Sequence, residues 1–302
     1  MIEYHRTLLA DELRTNAFRD AISRVVKPGD VVIDIGCGTG ILSFFACQAG
    51  ASKVYAIDRG GMAGIAQFLA RHNGFADRVV VLRDESTNVD LPEQADVLIS
   101  ETLGVLGLDE NLLGSVIDAR ARLLRRGAAI IPPSVAIHIV AVELPELHAK
   151  HVAWFSEQRY GLDLRPMRGF ASNSILFVNI DADAHAAEPA TIIDIDFTSA
   201  TSTFVSGRAQ FTASRDCTIH GFGVWFTSLG LTNRDPGATH WGQAFLPLEE
   251  PIALTRGAQI DVQLETDDGN AWRWRGKAGA RAFDQDSLFA AAPYSDANVP
   301  PR

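Results

Sequence analysis

The sequence is poor in cysteine and lacks both a long apolar run and a long basic run. Its three cysteines, Cys37, Cys47 and Cys217, show no close pairing and no metal-ligand spacing, which argues against a disulfide framework and against a zinc site. No apolar stretch approaches the roughly 20 residues that cross a bilayer, and the first residues carry charges throughout. We therefore expect a cytoplasmic protein with no membrane partner and no bound metal.

The charge balance is acidic. The 302 residues carry a net charge of −10, which argues against a nucleic-acid partner because phosphate backbones are bound through basic patches. An acidic protein is compatible with a cationic substrate. The hydrophobic content of 47% supports a core large enough for two domains or for one large domain.

The stretch that organises the chain runs from Val31 to Gly40 and reads VVIDIGCGTG. Its apolar start predicts a buried parallel strand, and Ile41–Ala49 predicts the helix that follows. The glycines between them permit a sharp turn, and the first N–H groups of the helix would face a ligand there. The next predicted strand, Lys53–Ile57, is followed by Asp58, at the position of a ribose-binding carboxylate. This pattern predicts a nucleotide site.

The spacing of the glycines distinguishes between cofactors. Dinucleotide-binding turns place a third glycine three residues after the second, where this chain has Ile41. The Asp-x-Gly-x-Gly-x-Gly pattern from Asp34 to Gly40 instead resembles the S-adenosylmethionine turn of class I methyltransferases. We therefore predict S-adenosylmethionine as the cofactor. An NAD-type site and a turn that binds nothing are the alternatives.

Helical and strand patterns alternate up to residue 131 and change after Pro132-Pro133. In the first part, helices are predicted over residues 7–26, 41–49, 62–73 and 112–124, and strands over 31–35, 53–57, 79–83, 97–100 and 128–131. The second part has one helical stretch, 147–158, among β-rich runs, a loose loop at 181–189, and a poorly ordered tail from Ala290. We predict an α/β Rossmann-like domain over residues 1–131 and an all-β barrel-like domain over 132–302.

Two carboxylates stand where the fourth predicted strand ends. Glu101 follows the strand directly and Glu110 comes nine residues later. Both are expected at the rim of the cofactor pocket, because the working residues of an open α/β sheet collect at the carboxyl ends of its strands. Taken alone, a solvated loop explains the pair equally well.

Four segments resemble the protein arginine methyltransferase family. Ser100 to Val105, followed by Glu110, resembles its double-glutamate loop, and Thr239 to Trp241 resembles its Thr-His-Trp loop. The helix before the sheet matches the family at His5, Leu8, Leu9, Asp11, Glu12, Arg14 and Thr15. Trp154-Phe155 and Tyr160 to Asp163 resemble parts of the family's dimerisation arm, which we expect at about residues 145–170. The four segments span nearly the whole chain in the right order.

The resemblance implies an N-methyltransferase acting on a guanidino nitrogen of free arginine, of another guanidino metabolite or of protein arginine. It implies that Glu101 and Glu110 bind the guanidinium, and that His240, paired with Asp11, takes the departing proton. Leu8 and Trp241 complete the implied substrate-binding set. Arg14 is the implied partner of the cofactor carboxylate and Asp58 that of the ribose; the full expected cofactor set is Arg14, Asp34, Gly36, Cys37, Gly38, Gly40, Asp58, Glu85 and Ser86. The arm implies a homodimer.

The chain also departs from that family. Thr102-Leu103 replaces Trp-Met and Val105 replaces the tyrosine of the double-glutamate loop, while Thr87 stands where the family has a glutamate that reaches the adenine. Only Tyr4 precedes His5, so we expect the family's tyrosine-bearing lid helix to be absent or reduced. Fewer aromatic walls make free arginine or another guanidino metabolite a candidate acceptor. The alternatives are a methyltransferase for another small-molecule nucleophile and a non-catalytic cofactor-binding partner protein.

Overall fold

The computed structural model describes residues 2–235 and 239–288, so the predicted tail from Ala290 lies outside the described residues. The helices are α1 Ile2–Ala10, α2 Glu12–Val25, α3 Ile41–Ala49, α4 Met62–His72, α5 Leu112–Arg122, α6 Pro145–His151 and α7 Met167–Ser172. The strands are β1 Val31–Ile35, β2 Lys53–Ile57, β3 Val79–Leu82, β4 Ala95–Ser100, β5 Leu124–Ile131, β6 Ser134–Val142, β7 Gln158–Arg159, β8 Leu162–Asp163, β9 Leu176–Val178, β10 Ala190–Asp196, β11 Val205–Thr212, β12 Cys217–Ser228, β13 Leu231–Thr232, β14 Gln243–Leu254, β15 Gln259–Thr266, β16 Trp272–Ala278 and β17 Arg281–Asp286. Among the helices described, none is long and apolar enough to cross a membrane.

The first five strands form one parallel sheet in the order β3-β2-β1-β4-β5. Every residue of β1 is buried, as expected for a central parallel strand covered on both faces. The strand order reverses between β1 and β4. Because ligands of open α/β sheets bind at the carboxyl ends of the strands where the order reverses, the site is expected beyond Ile35 and Ser100.

The predicted helix over residues 7–26 is two helices, and the prediction of one continuous helix was wrong. The Oδ1 atom of Asp11 accepts the backbone N–H of Arg14 at 3.0 Å and caps the start of α2. Aspartate favours a helix N-terminus because its carboxylate satisfies an N–H that has no partner within the helix. The break lets α1 take a separate direction from α2.

Two further boundaries differ from the prediction. Helix α5 ends at Arg122, and β5 begins at Leu124 instead of residue 128. Leu124 pairs with Ala95 of β4, which draws this segment into the sheet. The basic pair Arg125-Arg126, which directly follows the predicted helix, therefore belongs to the strand.

The second half is built from antiparallel strands. One sheet has the order β10-β6-β12-β14-β9, with β13 beside β12, and the other has the order β11-β15-β16-β17. The two sheets approach closely where β10 meets β11, since a Cβ on Gly207 would overlap the carbonyl oxygen of Ile192. Trp272 and Trp274 are fully buried in the interior of the β-rich half.

The arm between β6 and β9 holds less helix than expected. The predicted helix over residues 147–158 is reduced to α6 and a 3-10 turn at Ala153–Ser156, followed by the two-stranded hairpin of β7 and β8 and by α7. Residues 181–189 form a loop with a 3-10 turn at Ala182–Ala184, and the loop is anchored at Ala186, which is fully buried and whose N–H bonds to the carbonyl of Ala141.

Candidate active site

The glycine turn after β1 is tied to the neighbouring strand. The backbone N–H groups of Gly36 and Cys37 both donate to the carbonyl of Ile57, at 2.8 and 3.0 Å. Gly36 has a φ of 72°, and a Cβ at this position would collide with the side chain of Thr102. Glycine is therefore required for the loop after β4 to approach the turn.

Asp58 is held at the mouth of this turn. Its Oδ2 accepts the N–H of Gly38 at 2.9 Å, and its Oδ1 accepts the N–H of Gly60 at 2.7 Å. These two bonds fix the carboxylate at the end of β2, where a ribose-binding group was predicted.

A cavity of about 530 Å³ opens above the turn. Its volume is within the range of small-molecule and cofactor sites. The predicted site residues that line it are Leu8, Gly36, Gly38, Asp58, Glu85, Ser86, Glu101, Glu110 and His240. Asp11, Arg14, Asp34, Cys37, Gly40 and Trp241 lie outside its lining. The structure thus brings together both carboxylates, the turn and the histidine, and places the other predicted residues behind the walls.

Glu101 is engaged by two side chains. Arg14 donates from Nη1 to Oε2, and the indole Nε1 of Trp241 donates to Oε1 at 3.0 Å. Only 10% of the Glu101 side chain is exposed. Burial raises the pKa of Glu101 above its ordinary value, and the Arg14 guanidinium opposes the rise. Arg14 also donates to the carbonyl of Leu8 at 2.7 Å, and its buried Nε has no partner among the described residues.

Glu110 stands on an exposed and tightly curved part of the loop. It takes a φ of 56° and Asn111 a φ of 57°, a left-handed conformation that non-glycine residues adopt at an energetic cost. Among the described residues, none donates a hydrogen bond to its carboxylate. Burial raises the pKa of Glu110, an effect that Arg59 opposes and Asp58 reinforces.

Asp11 and His240 join the first helices to the β-rich half. Both the backbone N–H and the Nδ1 of His240 lie within hydrogen-bond distance of Asp11 Oδ2, at 2.8 and 2.9 Å. Burial lowers the pKa of His240, against the effect of Asp11. A neutral imidazole with Nδ1–H directed to Asp11 keeps Nε2 as a proton acceptor. Although burial acts to raise it, the bonds from Arg14 and His240 lower the pKa of Asp11.

Asp34 lies under the turn, away from the cavity. It is 1% exposed, and Ser43 donates to its Oδ2 at 2.6 Å. Burial raises the pKa of Asp34 to about 7. Cys37 is also buried, which raises the pKa of its thiol. Neither side chain has access to a ligand in this cavity, so both support the turn from below.

Several lining residues were not predicted to take part. Tyr4 and His5 reach the cavity from α1, Arg59 from the segment after Asp58, and Asn270 from the hairpin between β15 and β16. The match of His5 to the family helix was the one available signal. No signal in the sequence pointed to Asn270, because this residue reaches the cavity only through the packing of the β-rich half onto the loop after β4.

Two family models match the chain. Residues 15–129 match the model of ribosomal protein L11 methyltransferase, PrmA, and residues 133–276 match the model of the arginine methyltransferase oligomerization subdomain. The first segment contains the parallel sheet and the second contains most of the antiparallel strands.

Relatives and solved structures that are similar to this chain are also arginine methyltransferases. Protein arginine N-methyltransferase 6 of Xenopus laevis is 31% identical over 290 residues, covering 89% of this chain and 85% of the relative. Protein arginine N-methyltransferase 1 of Dictyostelium discoideum is 32% identical over 275 residues, covering 86% and 80%. The solved structure of Arabidopsis thaliana protein arginine methyltransferase 10 shares the fold, with a TM-score of 0.82 at 21% identity over 95% of this chain and 98% of that one. The chain belongs to the protein arginine N-methyltransferase family.

Proposed function

We propose that this protein transfers a methyl group from S-adenosylmethionine to a guanidino nitrogen of arginine. The observation that carries the proposal is one cavity in which the glycine turn and Asp58 face Glu101, Glu110 and His240. The family names of the relatives point to the same reaction.

The residues present suit the methyl donor. Gly36 and Gly38 contribute to the wall of the cavity, and Asp58 presents carboxylate oxygens for ribose hydroxyls. Arg14, the predicted partner of the cofactor carboxylate, is buried outside the cavity lining and is engaged by Glu101 and Leu8. When bound, S-adenosylmethionine supplies an electrophilic methyl group on a positively charged sulfur.

The two glutamates provide the charge that an arginine acceptor requires. A guanidinium stays protonated at neutral pH and presents planar N–H groups that carboxylates accept in pairs. Two unit charges of like sign about 4 Å apart repel by roughly 4 kcal/mol near a protein surface. Glu101 and Glu110 offset this repulsion between acceptor and donor, and they orient the reacting nitrogen.

His240 is placed to take the proton that the methylated nitrogen releases. It lines the cavity and is oriented by Asp11. Its lowered pKa keeps the imidazole neutral at pH 7, and therefore able to act as a base.

Arginine in proteins is the first acceptor to test, because the relatives are named for it. Free arginine stays a prediction supported by the loop after β4. There Thr102, and no tryptophan, lines the cavity, and Leu103 is fully buried.

The test is mass spectrometry after incubation with methyl-labelled S-adenosylmethionine, free arginine and an arginine-glycine-rich protein. We expect label in an arginine of at least one acceptor. Glu110→Gln should reduce it by about a thousandfold, the scale of losing one charged group from a preorganised site. Glu12→Gln, at an exposed glutamate of α2, is the matched control and should leave labelling unchanged.

One observation favours a non-catalytic partner protein as the second candidate. Both oxygens of Glu101 already accept bonds from Arg14 and Trp241, which leaves less capacity for a guanidinium. Cofactor binding without label in any acceptor would support this candidate and contradict the first. Label in a different nucleophile would support the small-molecule alternative.

We also propose a homodimer in which the arm of one protomer covers the outer surface of the first helices of its partner. The arm exposes a set of large apolar side chains, namely Trp154, Tyr160, Leu162 and Met167. A second part of the same chain exposes Leu9, Leu13 and Phe68, and a cavity of about 220 Å³ there is lined by Leu9, Phe44, Phe45 and Leu69 among others. Two exposed apolar patches on one chain suit contact between copies. The matched oligomerization subdomain supports this assembly.

Sedimentation analysis tests the dimer. Tyr160→Asp, at a side chain that is 91% exposed, should shift the protein to monomers without changing its unfolding. Asp183→Asn, on a loop outside both patches, is the control. A monomeric wild type would contradict the proposal. The three free cysteines are consistent with the cytoplasmic location that we propose.

A further inference from the structure

The loop between β4 and α5 is coiled far more tightly than its length requires. Gly104 and Gly107 take φ values of 61° and 83°, and Glu110 and Asn111 follow at 56° and 57°. Two consecutive non-glycine residues in the left-handed region persist only where the surroundings hold them. Contacts within the loop and around it must therefore stabilise this shape.

Asp109 makes the contacts that close the loop. Its Oδ2 accepts the backbone N–H of Val105 at 2.7 Å and lies 3.5 Å from that of Leu106. Its own N–H donates to the carbonyl of Leu103 at 3.3 Å, and its carbonyl accepts the N–H of Leu112 at 3.1 Å. One residue thus links the start of the loop, its middle and the first turn of α5.

The fit around Asp109 is close. A Cβ on Gly104 would overlap the Asp109 carboxylate, so glycine is required there. Leu106 and Leu108 are buried on either side, and Gly269 of the β15–β16 hairpin lies directly against the carbonyl of Leu108. The carboxylate is shielded from water, which raises the pKa of Asp109 to about 6. Burying a carboxylate is costly, so its retention here needs a reason beyond solubility.

We propose that Asp109 is a positioning residue for guanidine methylation, whose side chain folds the loop so that Glu110 faces the acceptor nitrogen. Asp109 does not line the cavity, whereas Glu110, the next residue, does. Because the left-handed turn at Glu110 follows directly from the closed loop, losing the bond to Val105 would release Glu110 from its position. The role rests on the proposed function.

Two substitutions separate the hydrogen bond from the volume of the side chain. Asp109→Asn keeps an oxygen that accepts from Val105, while Asp109→Leu has a similar size and no acceptor. We expect Leu to lower kcat about a hundredfold, the scale reached when a reacting group moves by about 1 Å. The dissociation constant for S-adenosylhomocysteine should change less than about threefold, because Asp58 and the glycine turn are untouched. Asn should stay within about threefold of wild-type kcat.

A further variant and the comparison of Leu with Asn distinguish a loss of folding from a loss of positioning. If Asp109→Leu fails to fold, Gly104→Ala presses on the same carboxylate from the other side and should lower kcat while S-adenosylhomocysteine still binds. A Leu variant with wild-type kcat, or an Asn variant as slow as Leu, would overturn the role of Asp109 while leaving the proposed function intact. A wild type that labels no acceptor would overturn both.

Discussion

Glu101 and Glu110 lie on regions of opposite character. Glu101 follows a central strand and is held by side chains far away in sequence, Arg14 and Trp241. Glu110 lies on a coiled loop that is closed by the hydrogen bonds of its neighbour in sequence, Asp109. The protein thus fixes one carboxylate through its tertiary structure and the other through local backbone geometry, and leaves the second open to a ligand.

The largest expected difference between the two glutamates is in how much each contributes to the free energy of unfolding. Glu101→Ala leaves the Arg14 guanidinium buried without its partner, which typically costs about 3–5 kcal/mol. Glu110→Ala removes no hydrogen bond seen in the described residues and should change the free energy of unfolding by less than about 0.5 kcal/mol. Urea unfolding of both variants measures this. Equal losses would show that the two glutamates are not held differently.

Two buried aspartates, Asp34 near Glu101 on the chain's parallel sheet and Asp109 on the loop of Glu110, should make the free energy of unfolding depend on pH over different ranges. The pKa of Asp34, a buried residue of β1, is raised to about 7. The protein is therefore more stable at low pH, where Asp34 is protonated in the folded state, and this stability is lost as the pH rises through about 7. At about 1.4 kcal/mol per pKa unit, the loss is up to about 4 kcal/mol. Asp34→Asn should abolish it, and its gain over wild type should therefore grow between pH 4 and pH 8. Asp109→Asn should show the same sign over a range ending near pH 6. Unfolding at several pH values tests both, and a gain independent of pH would contradict the shifts.

The smallest expected effect concerns the junction that Asp11 makes between α2 and His240. Asp11→Ala removes the helix cap and the acceptor of both His240 bonds, and should cost about 2 kcal/mol. Asp11→Asn retains a capping oxygen but turns an NH2 donor towards the N–H groups of His240, and should cost about 1 kcal/mol. Thermal unfolding compares them, and an Asn variant as stable as wild type would show that the bonds from His240 do not stabilise this junction.

Much of the first half could be predicted because its signals are local. The strand, glycine turn and helix from Val31 to Ala49 occur where the pattern indicated. Asp58 was identified from its position after the second strand, and the two glutamates and His240 were assigned their site roles through the family resemblance; all four line one cavity. Their chemical roles stay predictions until the substitutions are measured.

Other features escaped prediction for identifiable reasons. The capping side chain of Asp11 divides a helix whose apolar spacing reads as continuous. The apolar residues Leu9 and Leu13 lie within the predicted helix over residues 7–26, yet they are 42% and 50% exposed. Asn270 reaches the cavity only because the hairpin between β15 and β16 packs against the loop after β4. Hydrophobic periodicity reports which residues are apolar, but not which surface finally covers them.

The sequence by itself determined the elements and the turn, since φ preferences, strand alternation and helix periodicity depend on neighbouring residues. Tertiary structure alone decided that Glu101 is occupied by Arg14 and Trp241 while Glu110 is left open. It also moved Asp34 and Cys37 beneath the turn and brought Tyr4 and Asn270 to its mouth. Such contacts join residues distant in the chain, so they exist only once both sheets have formed and packed.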